Sequence, residues 1–181
     1  VSYYPSLAIV NRVFPKHLSE EFCTVYEDLK RQRVSYAKGT PENAALKLAL
    51  NGVYGDSNNK YSPFFDPQYT MSITVNGQLL LCLLCEWLFP VEGLTMVQAN
   101  TDGITVRLPR KNIPELEAIC KKWEEFTGLE LESANYSRMF VRDVNNYIAE
   151  YEDQYQDDEK KVRKIKRKGA YEYEIDWHQN H

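Results

Sequence analysis

Asp102 stands in Asn100-Thr101-Asp102-Gly103, between two strand-like runs, 95–99 and 104–108. Two such runs around an Asp-Gly turn predict a β-hairpin. A hairpin tip can hold a carboxylate towards a cleft on a rigid pair of strands, and a carboxylate oxygen is a ligand for a hard cation such as Mg2+. The plain alternative is that Asp-Gly merely makes the turn. Lys47 and Asn51 are four residues apart and Tyr54 is three further on, so on a helix the three share a face. Lysine is a phosphate point charge; the plain reading is a solvated surface residue. A second basic stretch holds Lys30, Arg31, Arg33 and Lys38, and a third, 160–168, ends in Lys166-Arg167-Lys168-Gly169. Cys82 and Cys85 form C-x-x-C. A zinc site would need a second pair or suitably spaced histidines, and His17, His178 and His181 are not so placed. The leucine-rich run around the pair, 79–85, reads as a buried helix with structural thiols in a reducing cytosol.

The elements that must carry these groups follow from pattern. Residues 1–13 mix β-branched and aromatic types, stop near Pro15, and read as a strand end followed by the start of a short helix. Ser19 is the expected cap of an amphipathic helix with Phe22, Val25, Tyr26 and Leu29 at helical spacing, stopped by Gly39. Thr40-Pro41-Glu42 is a second helix start, continuing to about residue 53, so a helical hairpin is expected. Residues 56–67 read as loop and 71–88 as a long helix. After the 95–108 hairpin, 112–126 is amphipathic, with Leu116, Ile119, Cys120 and Trp123 inward and Gly128 as its stop. Residues 129–131, 139–142 and 147–151 look like strands. Five acids in 152–159 precede seven bases in 160–168. The order predicts an α+β fold with helices on one face of an antiparallel sheet.

Composition sets bounds. In 181 residues, 43% hydrophobic and 27% charged, there is enough apolar content to bury a core. A net charge of −4 excludes a uniformly basic nucleic-acid binder but not a local basic patch. No uninterrupted apolar run approaches the ~20 residues of a bilayer span. The chain opens without Met and reads as a fragment.

Four segments, in order, resemble the motifs of family B DNA polymerases, especially the compact phage-type enzymes. Ser2-Tyr3-Tyr4-Pro5-Ser6-Leu7 resembles the end of D-x-x-S-L-Y-P-S. Lys47 to Gly55 resembles K-x-x-x-N-S-x-Y-G. Asn100-Thr101-Asp102 resembles the D-T-D hairpin, and the basic run before Gly169 a duplex-binding segment. The resemblance implies a palm over 1–18 and 58–151, a short fingers hairpin over 19–57, and a basic segment, 152–181, leading towards a thumb. It implies template-directed DNA synthesis with two Mg2+ ions, a DNA primer-template, deoxynucleoside triphosphates and the remainder of a longer polymerase chain as partners, and a cytoplasmic location, that of the host if viral.

Residue by residue, the resemblance makes Asp102 the metal ligand and catalytic carboxylate. Asn100 departs from the first Asp of the motif. The other metal-binding Asp falls two positions before Val1, so the fragment alone is expected to be inactive. Tyr4 matches the tyrosine beneath the incoming sugar, where a flat ring excludes a ribose 2′-hydroxyl. Lys47, with Arg33 and Lys38 from the opposing helix, would meet the triphosphate, and Asn51 and Tyr54 the nascent pair. Gly55 would end that helix beside the DNA. Tyr147 matches the tyrosine of K-x-Y at the primer terminus, with Asn145 in place of Lys. Lys166, Arg167 and Lys168 would bind duplex phosphates without reading sequence. A non-catalytic nucleic-acid-binding sheet, or a degenerate relative, is the alternative. Such sheets stack bases on aromatics, and the 95–108 runs offer Thr95, Gln98, Thr105 and Arg107 instead. A reverse transcriptase shares the palm but lacks the K-x-x-x-N-x-x-Y-G helix.

Overall fold

The computed structural model of the chain describes residues 3–156 and 162–172, the side chains of 153–156 and 162–163 excepted. It is mixed α+β: helices α1 (Tyr3–Val10), α2 (Glu21–Ser35), α3 (Pro41–Asp56) and α4 (Pro67–Leu88), strands β1 (Thr95–Ala99) and β2 (Ile104–Arg107), helix α5 (Ile113–Thr127), then strands β3 (Tyr136–Asp143), β4 (Asn146–Gln156) and β5 (Val162–Lys168). The described strands form two sheets rather than the one expected, a β1–β2 pair and a three-stranded β3–β4–β5 meander. Two compact units result. One runs through Val97 and includes Thr101–Leu131; the other holds Gln98–Asn100 and the residues from Glu132 on.

The first element corrects the sequence reading: Tyr3–Val10 is helix, not strand. Pro5 falls in its first turn, where a missing N–H costs nothing. Pro5, Ser6, Leu7, Ala8 and Ile9 are all buried, so the helix is covered all round, and such a run has no period to separate helix from strand. Ser19 is not a side-chain cap. It takes φ 60°, and Glu20 stands at the N-cap of α2. That helix ends at Ser35, so Gly39 (φ 87°) serves the turn to α3 instead. Thr40 caps α3 as expected: its Oγ1 accepts from the Asn43 N–H at 3.3 Å. Asn43, itself buried, donates to the carbonyls of Arg33 and Tyr36, both at 3.1 Å, and so closes the helical hairpin at its tip. Lower down, the buried Tyr26 hydroxyl donates to the Leu50 carbonyl.

Leu7, Ile9, Tyr26, Leu50, Tyr69 and Ile73 form one core cluster of the first unit. Leu84, Leu88, Trp123 and Leu129 form the other, where α4 meets α5. Trp123 donates its indole N–H to the Leu80 carbonyl at 2.8 Å. Gly128 ends α5 in the left-handed region, φ 68°. Helix α4 is long and apolar enough to cross a membrane by length and composition alone, which the sequence reading had not anticipated. Its buried side, Tyr69, Ile73, Gly77, Leu81, Leu84 and Leu88, faces protein. Cys82 lies on its exposed side, and the fully buried run expected around the C-x-x-C is therefore two-faced.

Asp66 caps α4. Its carboxylate accepts from the backbone N–H groups of Lys16 (2.9 Å), Gln68 (2.9 Å) and Tyr69 (3.1 Å). These bonds, that from Lys16 foremost, hold its carboxyl below the usual 3.8. A depressed folded-state value means stability that is fully present above the unfolded-state value and lost as pH falls from there through the folded-state value. The expected outcome is a urea midpoint that drops as pH falls below about 5 towards about 2, with a smaller drop in Asp66→Asn, which cannot titrate there. Equal slopes would exclude the cap as a source of acid sensitivity.

In the second unit, β4 pairs antiparallel with both β3 and β5. The expected strands at 139–142 and 147–151 are present and longer. Residues 129–131 are not strand, and the described part of the basic run, which the sequence did not assign to an element, is β5, Val162–Lys168.

Candidate functional site

Three segments far apart in sequence meet in the first unit. Tyr4 lies in the first turn of α1, Tyr54 near the end of α3, and Asp102 at the tip of the β1–β2 hairpin. The rings of Tyr4 and Tyr54 are 4.4 Å apart between centroids and inclined by 36°. Tyr3 stands beside Tyr4, ring centroids 5.6 Å apart. Burial raises the Tyr3 phenol to about 12, with Tyr4 and then Asp102 adding to it. Burial also raises the Tyr4 phenol, followed by Tyr54 and by Asp102. The carboxylate of Asp102 is thus near enough to both phenols to oppose their ionisation. At neutral pH both remain hydroxyls, able to donate.

Helix α4 supports the pair. The Tyr3 hydroxyl donates to the Gly77 carbonyl at 2.8 Å. The Tyr54 hydroxyl shares a hydrogen bond with Thr74 Oγ1 at 2.7 Å. One turn on, Ser57 Oγ and Thr70 Oγ1 are 2.8 Å apart, so the foot of α3 rests on α4 through two hydroxyl pairs. Thr74 and Gly77 were not singled out from the sequence. The available signal was Gly77 itself, a glycine inside an apolar helical run, which is unfavourable there without a packing reason.

The hairpin tip also bears on the role of Asp102. Four residues, 100–103, separate the strands, and neither Asp102 nor Gly103 takes a positive φ. The Asp-Gly pair is therefore not the two-residue type I′ turn that would explain it structurally. Asp102 is exposed at the tip.

On α3, Lys47 and Asn51 are exposed and Tyr54 is half-buried. A Cβ added at Gly52 or Gly55 would meet nothing within 4 Å, so this face is open and smooth. Gly55 does not end α3, which continues to Asp56. Arg33 is half-buried on α2, with its Nε donating to Asn43 Oδ1 at 3.4 Å. Lys38 is exposed and lies in the turn after α2, not on that helix as expected.

Tyr147, Lys166, Arg167 and Lys168 all belong to the second unit. Tyr147 is 6% exposed on β4. Lys166 donates to the Tyr136 hydroxyl at 3.1 Å and lies 6.0 Å from the centre of the Tyr147 ring. Because the run is a strand, Lys166 and Lys168 point to one face and Arg167 to the other; it is not one patch. Lys168 also pairs with Glu172 at 3.5 Å. Gly169 follows with φ 63°, where a Cβ would collide with the Asn145 carbonyl and the Asn146 side chain. Of the acidic stretch and the first bases, 157–161 lie outside the described residues, as do 173–181.

Among the described residues no group of three or more His, Cys, Asp or Glu side chains could hold a metal ion. Asp102 is one carboxylate, which does not by itself fit a two-ion clamp.

No protein-family model and no curated protein matches the sequence. The fold does have solved counterparts. Among them, the family B DNA polymerase from the hyperthermophilic archaeon Pyrobaculum calidifontis matches with a TM-score of 0.61 at 16% identity, over 82% of this chain. The match covers 24% of that longer chain, so the present sequence spans about a quarter of it. At this identity the likeness is one of fold.

Proposed function

We propose that this chain is the nucleotide-handling part of a template-directed DNA polymerase, transferring nucleotides from deoxynucleoside triphosphates to a primer 3′ end. The observation that carries this reading is the contact between Tyr4 and Tyr54, residues of two separate motifs, with Asp102 of a third within electrostatic reach of Tyr4. The fold likeness to a family B polymerase supports it independently. On this reading residues 1–18 and 58–151 are palm, α2 and α3 are the fingers, and the segment from 152 on leads to a thumb. The parent protein would be a compact, phage-type enzyme acting in the cytoplasm.

The residues divide the work by chemistry. Tyr4 presents a neutral, flat ring beneath the sugar, with Tyr54 stacked on it. Lys47, exposed on α3, is free to reach phosphate, and the smooth surface at Gly52 and Gly55 lets a base pair approach the helix closely. Arg33 and Lys38 would add positive charge beside the triphosphate. Asp102 supplies one carboxylate where charge develops. Mg2+ would require a further carboxylate from beyond these residues. Lys166, Arg167 and Lys168, with Tyr147, would hold the primer duplex.

The test is primer extension by the protein that carries this segment, with a DNA primer-template, four deoxynucleotides and Mg2+. Elongation to the template end is expected. Tight primer-template binding without elongation would favour the non-catalytic alternative, and equal use of an RNA template would favour a reverse transcriptase.

A further inference from the structure

We propose that Gly77 is a positioning residue for sugar selection: its missing Cβ lets Tyr4 close against α4, and so sets where the Tyr4 ring stands beneath the nucleotide. This rests on the polymerase reading above and deepens it.

Gly77 is buried in the middle of α4, a 22-residue helix. Glycine is a poor choice inside a helix, and here its reason is steric. A Cβ at this position would lie 3.1 Å from Cε1 of Tyr3 and 3.1 Å from Cε1 of Tyr4, with Cδ1 of Tyr4 at 3.6 Å. Gly52 and Gly55, where a Cβ meets nothing within 4 Å, are the contrast within the same unit. Tyr3 has little freedom to give way, because its hydroxyl is tied to the Gly77 carbonyl at 2.8 Å. Tyr4 is closed in on its other side by Tyr54, at 4.4 Å between centroids. Tyr54 is itself fastened to Thr74, three residues before Gly77 on the same helix. Helix α4 therefore bounds Tyr4 twice, directly at Gly77 and through Thr74 and Tyr54. A methyl group at 77 would press the Tyr4 ring away from α4 by a few tenths of an ångström, and on the polymerase reading that moves it relative to the sugar.

The experiment is steady-state single-nucleotide addition by the protein carrying this segment, with deoxynucleotide and with the matching ribonucleotide, comparing wild type, Gly77→Ala, Tyr4→Leu and the double variant. A deoxy-to-ribo preference unchanged in Gly77→Ala would overturn the inference. Gly77→Ala is expected to raise the deoxynucleotide KM about tenfold, with kcat changed much less, as a displaced sugar contact should. In the Tyr4→Leu background the same substitution is expected to change KM by less than about twofold, since the ring it displaces is gone. A wild-type protein that adds no nucleotide to any primer would defeat the polymerase reading and this inference with it. An active wild type with an unchanged KM in Gly77→Ala would overturn the inference alone. So would equal losses in both backgrounds, which would mark general damage to α4. If Gly77→Ala fails to fold, recovery of the fold by Tyr4→Leu supports the close approach as the reason for glycine, and no recovery overturns it.

Discussion

Asp102→Ala is expected to reduce nucleotide addition by about a thousandfold, the loss of several kcal/mol of charge stabilisation at the reacting phosphate. The residue is exposed at a hairpin tip, so the melting temperature should barely move. Primer-template affinity should also persist, because the proposed duplex contacts lie on other elements. The side chain's neighbours sharpen the expectation. Asp102 opposes ionisation of both Tyr3 and Tyr4, which locates its charge at the tyrosine pair. Asp102→Asn should therefore lose nearly as much activity as the alanine variant while keeping shape and polarity. Extension undiminished in either variant would remove Asp102 from the chemistry and leave the tyrosines as a binding feature only.

Trp123→Ala is expected to cost about 3–5 kcal/mol of stability, the range for deleting a fully buried large aromatic. Trp123 is 1% exposed and packs with Leu84, Leu88 and Leu129. Its indole N–H also ties α5 to the Leu80 carbonyl of α4 across 43 positions of sequence. The substitution leaves a cavity and removes a buried hydrogen bond that links the two helices in this cluster. Since a domain's whole stability is about 5–15 kcal/mol, the variant should unfold at a much lower urea concentration. Trp123→Phe should recover part of the loss by refilling the volume, but not the hydrogen bond. A shift below about 1 kcal/mol would show that the cluster collapses around the gap or that its stability is carried elsewhere.

How far the sequence could be read depended on whether local chemistry and tertiary packing agreed. At Thr40-Pro41 and at Gly128 they do: the cap and the left-handed stop are made by the residues themselves, and both helix ends fall where expected. In α1 they part. Pro5 and a run of apolar residues resemble a strand end, and only burial on all sides makes the run a helix. The basic run reads by its charge, as a duplex-binding segment, and not by element; β4 offers Tyr147 and Ala149 as partners for Lys168 and Lys166, and pairing makes 162–168 a strand. Of the candidate site, Tyr4, Tyr54 and Asp102 were legible because each lies in a motif with its own spacing. Thr74 and Gly77 were not, since their parts are defined only by rings that arrive from two other helices. Arg33 and Lys38 were grouped by charge alone, and the end of α2 at Ser35 separates them.

The two hydroxyl pairs beneath α3, Tyr54 with Thr74 and Ser57 with Thr70, have a mechanical consequence. They clamp the lever at its base. The helical hairpin, zipped by Tyr26 to Leu50 and by Asn43 at its tip, cannot swing on its foot without breaking both pairs. Within α3, just above the clamp, Gly52 has no side chain to stiffen the turn, so a bend would cost least there. A bend of the hairpin at that point would begin only two residues from Tyr54, the ring that packs against Tyr4.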